Sequence, residues 1–169
     1  LAILAPEDRA NFWQFLSEVQ EAGVTIAFDP NYRARLWQSA EDARQQFSLA
    51  FAASTIVLPG IEDFTVLYGL KDLSEIVAFC QPFNINELVL KNGPNSVFLR
   101  TEQAEFSVAI EPVKNVVDTT SAGDSFNGVY LGARLAGYDI KLAVKLAAKA
   151  AGLVIQFPGA IIPKENFNE

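Results

Sequence analysis

Apolar residues recur along this chain in two rhythms, and the rhythm changes wherever glycine, proline and asparagine gather. Phe12, Phe15, Leu16 and Val19 fall on one helical face. That stripe predicts a helix opening at Pro6-Glu7-Asp8, with proline in the first turn and acids at the positive dipole end, and stopping at Gly23. Val24–Phe28 is a short β-branched and aromatic run, hence a buried strand ending at Asp29-Pro30. Ser39 with Asp42 three residues on starts a capped helix through about Ala52. Thr55–Leu58 reads as a strand, Asp72 with Glu75 as the start of a helix reaching about Cys80, and Glu87–Lys91 as another strand. Asn92-Gly93-Pro94-Asn95 is a turn cluster, followed by a hairpin-like pair, Ser96–Arg100 and Glu105–Ile110. The opening run Leu1-Ala2-Ile3-Leu4-Ala5 is expected to be a strand as well.

The last third is patterned differently. Val116-Val117-Asp118 leads into Thr119-Thr120-Ser121-Ala122-Gly123-Asp124, a run of small and polar residues. A helix follows, with Phe126, Val129, Tyr130 and Ala133 on one face and Gly137 at its end. Ile140–Val154 is a second, alanine-rich helix, and Phe157-Pro158-Gly159-Ala160 a loop. Internal repeats, low-complexity tracts and domain linkers are absent, so residues 1–169 are expected to form one domain. Strands alternating with helices predict a doubly wound, mostly parallel sheet with helices on both faces. Ligands of such sheets sit beyond the carboxyl ends of the strands.

Composition removes whole classes of chemistry. Among 169 residues there is no histidine and a single cysteine, Cys80. Ser-His-Asp and Cys-His catalysis, His-ligated zinc, multi-cysteine metal sites and internal disulfides are therefore excluded. Carboxylates, Lys, Arg, hydroxyls and backbone amides remain. Thirteen basic against 20 acidic side chains give a net charge of −7, and no Lys/Arg cluster occurs; neither a nucleic-acid nor an anionic-membrane surface is expected. Half of the residues are apolar and 20% charged, so the chain has the material for a core. No apolar stretch nears the roughly 20 residues a membrane span needs. A lone cysteine leans towards a reducing compartment, and the cytoplasm is the expected location. The absence of Met and the abrupt apolar opening suggest a piece of a larger soluble protein.

The polar clusters that follow strands carry the candidate chemistry. In Thr119–Asp124 the small residues let a ligand approach the backbone, and the next helix aims unpaired N–H groups and its positive end into the loop. That arrangement binds an anion without a basic side chain. An acid beside a bound phosphate is unfavourable unless it has a task, and accepting a proton from an attacking hydroxyl is one. The same Ser and Asp are also ordinary helix N-caps. Asp29-Pro30-Asn31-Tyr32-Arg33-Ala34-Arg35-Leu36-Trp37 puts guanidiniums, the preferred forks for carboxylate or phosphate, after a strand; a solvated turn explains them equally. Lys91-Asn92-Gly93-Pro94-Asn95-Ser96 offers amides and polar side chains to a nucleotide, or is a tight turn. Glu62-Asp63 suits water-coordinated Mg²⁺, or a helix N-terminus.

The string Asp118-Thr119-Thr120-Ser121-Ala122-Gly123-Asp124-Ser125-Phe126 closely resembles the second signature of the ribokinase/PfkB family of sugar kinases. The resemblance implies a ribokinase-like fold, ATP and Mg²⁺, an anion hole at Ser121, Ala122 and Gly123, and Asp124 as the base that takes the sugar hydroxyl's proton. Asp29–Trp37, Leu1–Leu4 and Val154–Pro163 are similar to the 2-keto-3-deoxygluconate kinase branch. There Arg33 would contact the acid sugar, Asn31 and Arg33 the ATP side, and Lys91, Asn92, Gly93, Asn95 and Ser96 the nucleotide. A monovalent cation such as K⁺ is implied near Asp118. Many relatives have Asn-x-x-Glu where this chain has Pro59-Gly60-Ile61-Glu62, so the Mg²⁺ role falls to Glu62 alone. The resemblance covers the C-terminal half of a family member. The part expected before Leu1 would hold the first strands, a sugar-binding segment and a lid that makes a homodimer. Two other readings stay open: a catalytically silent nucleotide-binding piece, and a kinase of the same fold for another sugar.

Overall fold

Three helix starts in this computed structural model, which describes residues 1–167, are set by side chains that satisfy orphan backbone donors. Ser39 Oγ accepts the Asp42 amide at 3.0 Å and opens α2 (Ala40–Ala53). Asp72 opens α4 (Leu73–Cys80) with Glu75 as the reciprocal member of a capping box. Asp139 accepts from the amides of Lys141 and Leu142 and opens α6 (Ile140–Val154). Pro6 starts a 3₁₀ turn, Pro6–Asp8, that runs into α1 (Arg9–Glu21). The two further helices are α3 (Ile61–Tyr68) and α5 (Ala122–Leu135).

Five strands form one sheet in the order β1-β2-β3-β4-β5: Ala27–Phe28, Ile56–Val57, Glu87–Asn92, Ser96–Arg100 and Glu105–Ala109. β1 and β2 are parallel, with Ala27 opposite Ile56; β2 and β3 are parallel, with Val57 opposite Leu88. Each parallel connection carries helix, as a crossover requires. Short turns join β3 to β4 and β4 to β5, and turns of that length permit only antiparallel return.

The residues gather into two compact units. The first comprises Leu1–Asn92 and Phe98–Phe106; the second comprises Gly93–Val97 and the chain from Ser107. In the first unit α2 buries Ala43, Phe47, Ala50 and Phe51 on one face. Of these, Ala43, Phe47 and Phe51 pack with Val57, Phe64, Leu67, Ile76, Ile85, Leu88 and Leu90 into the core. Phe51 lies at its centre, stacked on Phe64 at 6.1 Å and edge-on to Phe28 at 5.6 Å. Cys80 is fully buried here, and burial pushes its thiol pKa up to about 12. In the second unit α5 and α6 form a helical hairpin. Gly137, at φ +83°, closes α5. Phe126, Tyr130 and Ala133 face Ala143, Val144, Ala147 and Ala150, where small side chains let the helices approach closely.

Two expectations need correction. Leu1–Ala5 forms no strand: Leu4 N–H donates to Leu1 C=O at 3.1 Å, a local turn that satisfies backbone groups without a neighbouring strand. The strands at 24–28 and 55–58 shrink to two ladder residues each, partly because Val24 N–H is taken by Val19 C=O at the end of α1. Glu62 and Asp63, offered above to Mg²⁺ or to a helix N-terminus, stand in the first turn of α3, which Gly69 closes at φ +75°. Among the described residues no helix is long and apolar enough to cross a membrane.

Candidate functional site

The polar groups of the first unit collect where β1, β2 and β3 end. Asp29 follows β1, and its Oδ2 accepts from Lys91 Nζ of β3 at 2.8 Å. Asp29 Oδ1 accepts the Asn31 amide at 3.1 Å, an Asx turn that holds Asn31 at φ +40°. After β2, the Lys91 amide donates to Pro59 C=O at 2.8 Å, and Gly60 bridges to Lys91 in parallel fashion. Asp63, in the first turn of α3, closes the cluster. One of its oxygens accepts the Tyr32 amide at 2.7 Å, the other the Gly60 amide at 2.8 Å. Burial raises the Asp63 pKa; the two amides and Lys91 pull it down, while Asp29 adds to the rise. Asn31 and Arg33 stay exposed on either side of the half-buried Tyr32, and an open depression is lined by Tyr32, Arg33, Ala34 and Arg35. Arg33 Nη1 is steadied by the Tyr32 carbonyl at 3.2 Å.

The structure thus brings Asn31, Arg33 and Lys91 into one neighbourhood, adds Asp29 and Tyr32, to which the sequence assigned no role there, and sets Asp63, offered with Glu62 to Mg²⁺ or a helix N-terminus, between two backbone amides. Lys91 spends its charge on Asp29. Glu62 is exposed beside the buried Asp63. Among the described residues no three acidic, Cys or His side chains gather. A divalent ion would have to complete its shell largely with water and phosphate oxygens, which suits Mg²⁺.

The second unit holds the other cluster. Ser121 takes a left-handed conformation, φ +62°, and the chain then enters α5 with Ala122, Gly123 and Asp124 as its first turn. The Ala122 amide donates to Thr119 C=O at 3.2 Å and the Ser125 amide to Ser121 C=O at 2.9 Å. Between them, the amides of Gly123 and Asp124 have no protein acceptor among the described residues, and Ser121 gives no side-chain cap. Two aligned donors at the positive end of a 14-residue helix are what an anion requires. Asp124 is exposed on that same turn.

Asp118 fastens this cluster to the loop after α6. Its Oδ1 accepts the Thr120 amide at 2.8 Å and its Oδ2 the Gly159 amide at 2.9 Å. Bonds from Thr120, side chain first and then backbone, together with the Gly159 amide, hold its carboxyl below the ordinary 3.8. The amides of Val117 and Asp118 donate to Ile155 C=O. A monovalent cation at Asp118 would share an anionic carboxylate whose two oxygens each already accept one amide. In the turn after β3, Asn95 C=O accepts the Ile110 amide at 3.2 Å, while Gly93 takes φ +52°; Asn92 and Ser96 are partly buried.

Comparison with known proteins gives a consistent picture. The model of the pfkB family of carbohydrate kinases matches residues 2–166. The chain is 36% identical over 168 residues to the 2-dehydro-3-deoxygluconokinase of Escherichia coli K12, covering 98% of this chain and 54% of that enzyme. It is 37% identical over 169 residues to the enzyme of the same name from Dickeya dadantii 3937, with the same coverage. The chain therefore spans about half the length of the curated relatives it matches. Among solved structures, the fructokinase of Vibrio cholerae O395 with fructose, ADP and calcium superposes with a TM-score of 0.83 at 26% identity, over 94% of this chain and 53% of that one.

Proposed function

This chain belongs to the pfkB family of carbohydrate kinases, and from that premise we propose that the protein transfers the γ-phosphoryl group of ATP to the 6-hydroxyl of 2-keto-3-deoxygluconate, the sugar acid also called 2-dehydro-3-deoxygluconate. The observation that carries the reading is the first turn of α5, where two amides without protein acceptors and an exposed carboxylate share one helix end. The names and 36–37% identity of the two relatives supply the sugar acid.

The division of labour follows from charge. Phosphoryl transfer asks for positioning and charge stabilisation rather than covalent catalysis, so a chain without histidine lacks nothing. The Gly123 and Asp124 amides, with Ser121 and Ala122 shaping the loop, hold phosphate oxygens as negative charge builds. The Asp124 carboxylate accepts the proton of the 6-hydroxyl. That oxygen bonds to the γ-phosphorus, the bond from phosphorus to the bridging oxygen breaks, and ADP leaves. Arg33 receives the sugar-acid carboxylate in a charge-assisted pair, the contact that a neutral sugar would forgo. Asn31 and the segment Lys91, Asn92, Gly93, Asn95 and Ser96 serve the nucleotide. Glu62 would be the protein carboxylate that holds Mg²⁺, which when bound would neutralise phosphate charge; the ADP and calcium ion in the fructokinase crystal agree with a nucleotide and divalent-ion requirement. K⁺ beside Asp118 would add to the same field.

Asp124→Asn tests the assignment. Removing a general base costs about 10²–10⁴-fold in rate. We expect turnover with ATP and the sugar acid to fall by that much while calorimetry finds nucleotide affinity within about threefold of wild type. Near-normal turnover refutes Asp124 as the base. A neutral sugar outperforming the keto acid in a substrate panel removes the sugar-acid reading and Arg33's part in it.

A further inference from the structure

Asp63 is only 7% exposed, although it sits in the first turn of a short helix where acids ordinarily face water. A carboxylate is expensive to bury unless its oxygens are bonded. One oxygen caps its own helix through the Gly60 amide, the usual reach of a third-position acid back to the helix start. Capping explains that oxygen and leaves the other unexplained. The second oxygen accepts the amide of Tyr32, 31 positions away, at 2.7 Å.

Tyr32 is the middle residue of the segment assigned above to substrate and nucleotide. Its ring is pinned edge-on against the buried Phe47, 6.1 Å between centroids. With the amide held by Asp63 and the ring held by the core, the neighbours Asn31 and Arg33 are turned outward, and both are exposed. Asn31 sits at φ +40°, a conformation that side-chain-bearing residues adopt at a cost. Something must hold the chain there. The Asx turn from Asp29 holds one flank and Asp63 the other. Lys91 compensates the pair of acids through its bond to Asp29.

We propose that Asp63 is a positioning residue: its bond to the Tyr32 amide fixes the direction in which Asn31 and Arg33 present their side chains to substrate, without Asp63 touching substrate itself. This rests on the assignment of Arg33 to the sugar acid. Asn is the informative replacement, because it keeps the shape yet sets an NH₂ donor against one of the two amide donors. For Asp63→Asn, KM for the sugar acid should rise about tenfold or more while kcat stays within about threefold, since a misdirected Arg33 weakens binding without touching the proton acceptor. Unchanged KM, or a loss confined to kcat, overturns the proposal. A second measurement needs neither the variant nor turnover. In wild-type protein, amide exchange followed by NMR should find the Tyr32 N–H about 100-fold or more slower than the Arg33 N–H, which has no protein acceptor among the described residues. Equal rates overturn the clamp even if Asp63→Asn fails to fold. Wild-type protein that shows slow Tyr32 exchange and no turnover of the sugar acid faults the substrate assignment instead and leaves the clamp standing.

Discussion

The loop after β1 and the first turn of α5 both offer polar groups to a ligand, yet they are built from opposite materials. At α5 the donors are main-chain amides, aligned by a left-handed Ser121 and by the helix itself. In the loop after β1 the backbone is bent by carboxylates, Asp29 and Asp63, and what faces outward is side chain. Donors made of backbone need no counter-charge and lose little when neighbouring side chains change. A loop held by one buried and one half-buried acid depends on every charge in its network, Lys91 included.

That contrast can be broken from either side. After Asp124→Asn in the α5 turn, the largest effect should come from Arg33→Met in the loop, which removes a charge-assisted partner of the substrate carboxylate. We expect KM for the sugar acid to rise about 10–100-fold with nucleotide affinity kept within about threefold; an unchanged KM would mean that the loop presents Arg33 to nothing. Next is Lys91→Met. It strips the cation from a pair whose side chains are 17% and 22% exposed and leaves Asp29 near the buried Asp63. A loss of about 1–3 kcal/mol in urea unfolding is expected, less than for a fully buried pair. An unmoved midpoint would make the α5 and β1 regions alike in their indifference to side-chain charge.

The smallest effect is expected from acid at Asp118. Its folded-state pKa lies below the ordinary 3.8, so its stabilising bonds are complete above that value and are lost as pH falls through the lowered one. Between pH 5 and 8 the staple to Gly159 should not change. Exchange of the Gly159 amide, corrected for intrinsic rate, should be flat over that range and rise only in strong acid. A rise near neutrality would contradict a carboxylate held ionised by three donors.

The same contrast explains what could be read from the chain. Ser39, Asp72 with Glu75, and the span Ile140–Val154 announce themselves because cap and helix lie within a few residues of each other. The anion-binding turn is legible for the same reason: Thr119–Asp124 is one contiguous string. The Asp63 bond to Tyr32 and the Lys91 bond to Asp29 join residues 31 and 62 positions apart, and nothing local marks either pair. Of α3 only the acidic start was legible, as one of two readings, because Pro59-Gly60 looks like a turn and because its cap is a backbone amide served by Asp63 from inside the helix. Leu1–Ala5 has a strand's composition, but a ladder is made with a neighbour, and the segment bonds to itself.

Cys80, the only sulfur of the chain, is fully buried in the same core as Phe51, with its thiol pushed far towards the neutral form. In the native fold it is almost inert as a nucleophile. Modification of that atom therefore acts as a stopwatch: a thiol-directed reagent reaches it only when this core opens, so its consumption times the opening of the first unit and is blind to events at the surface.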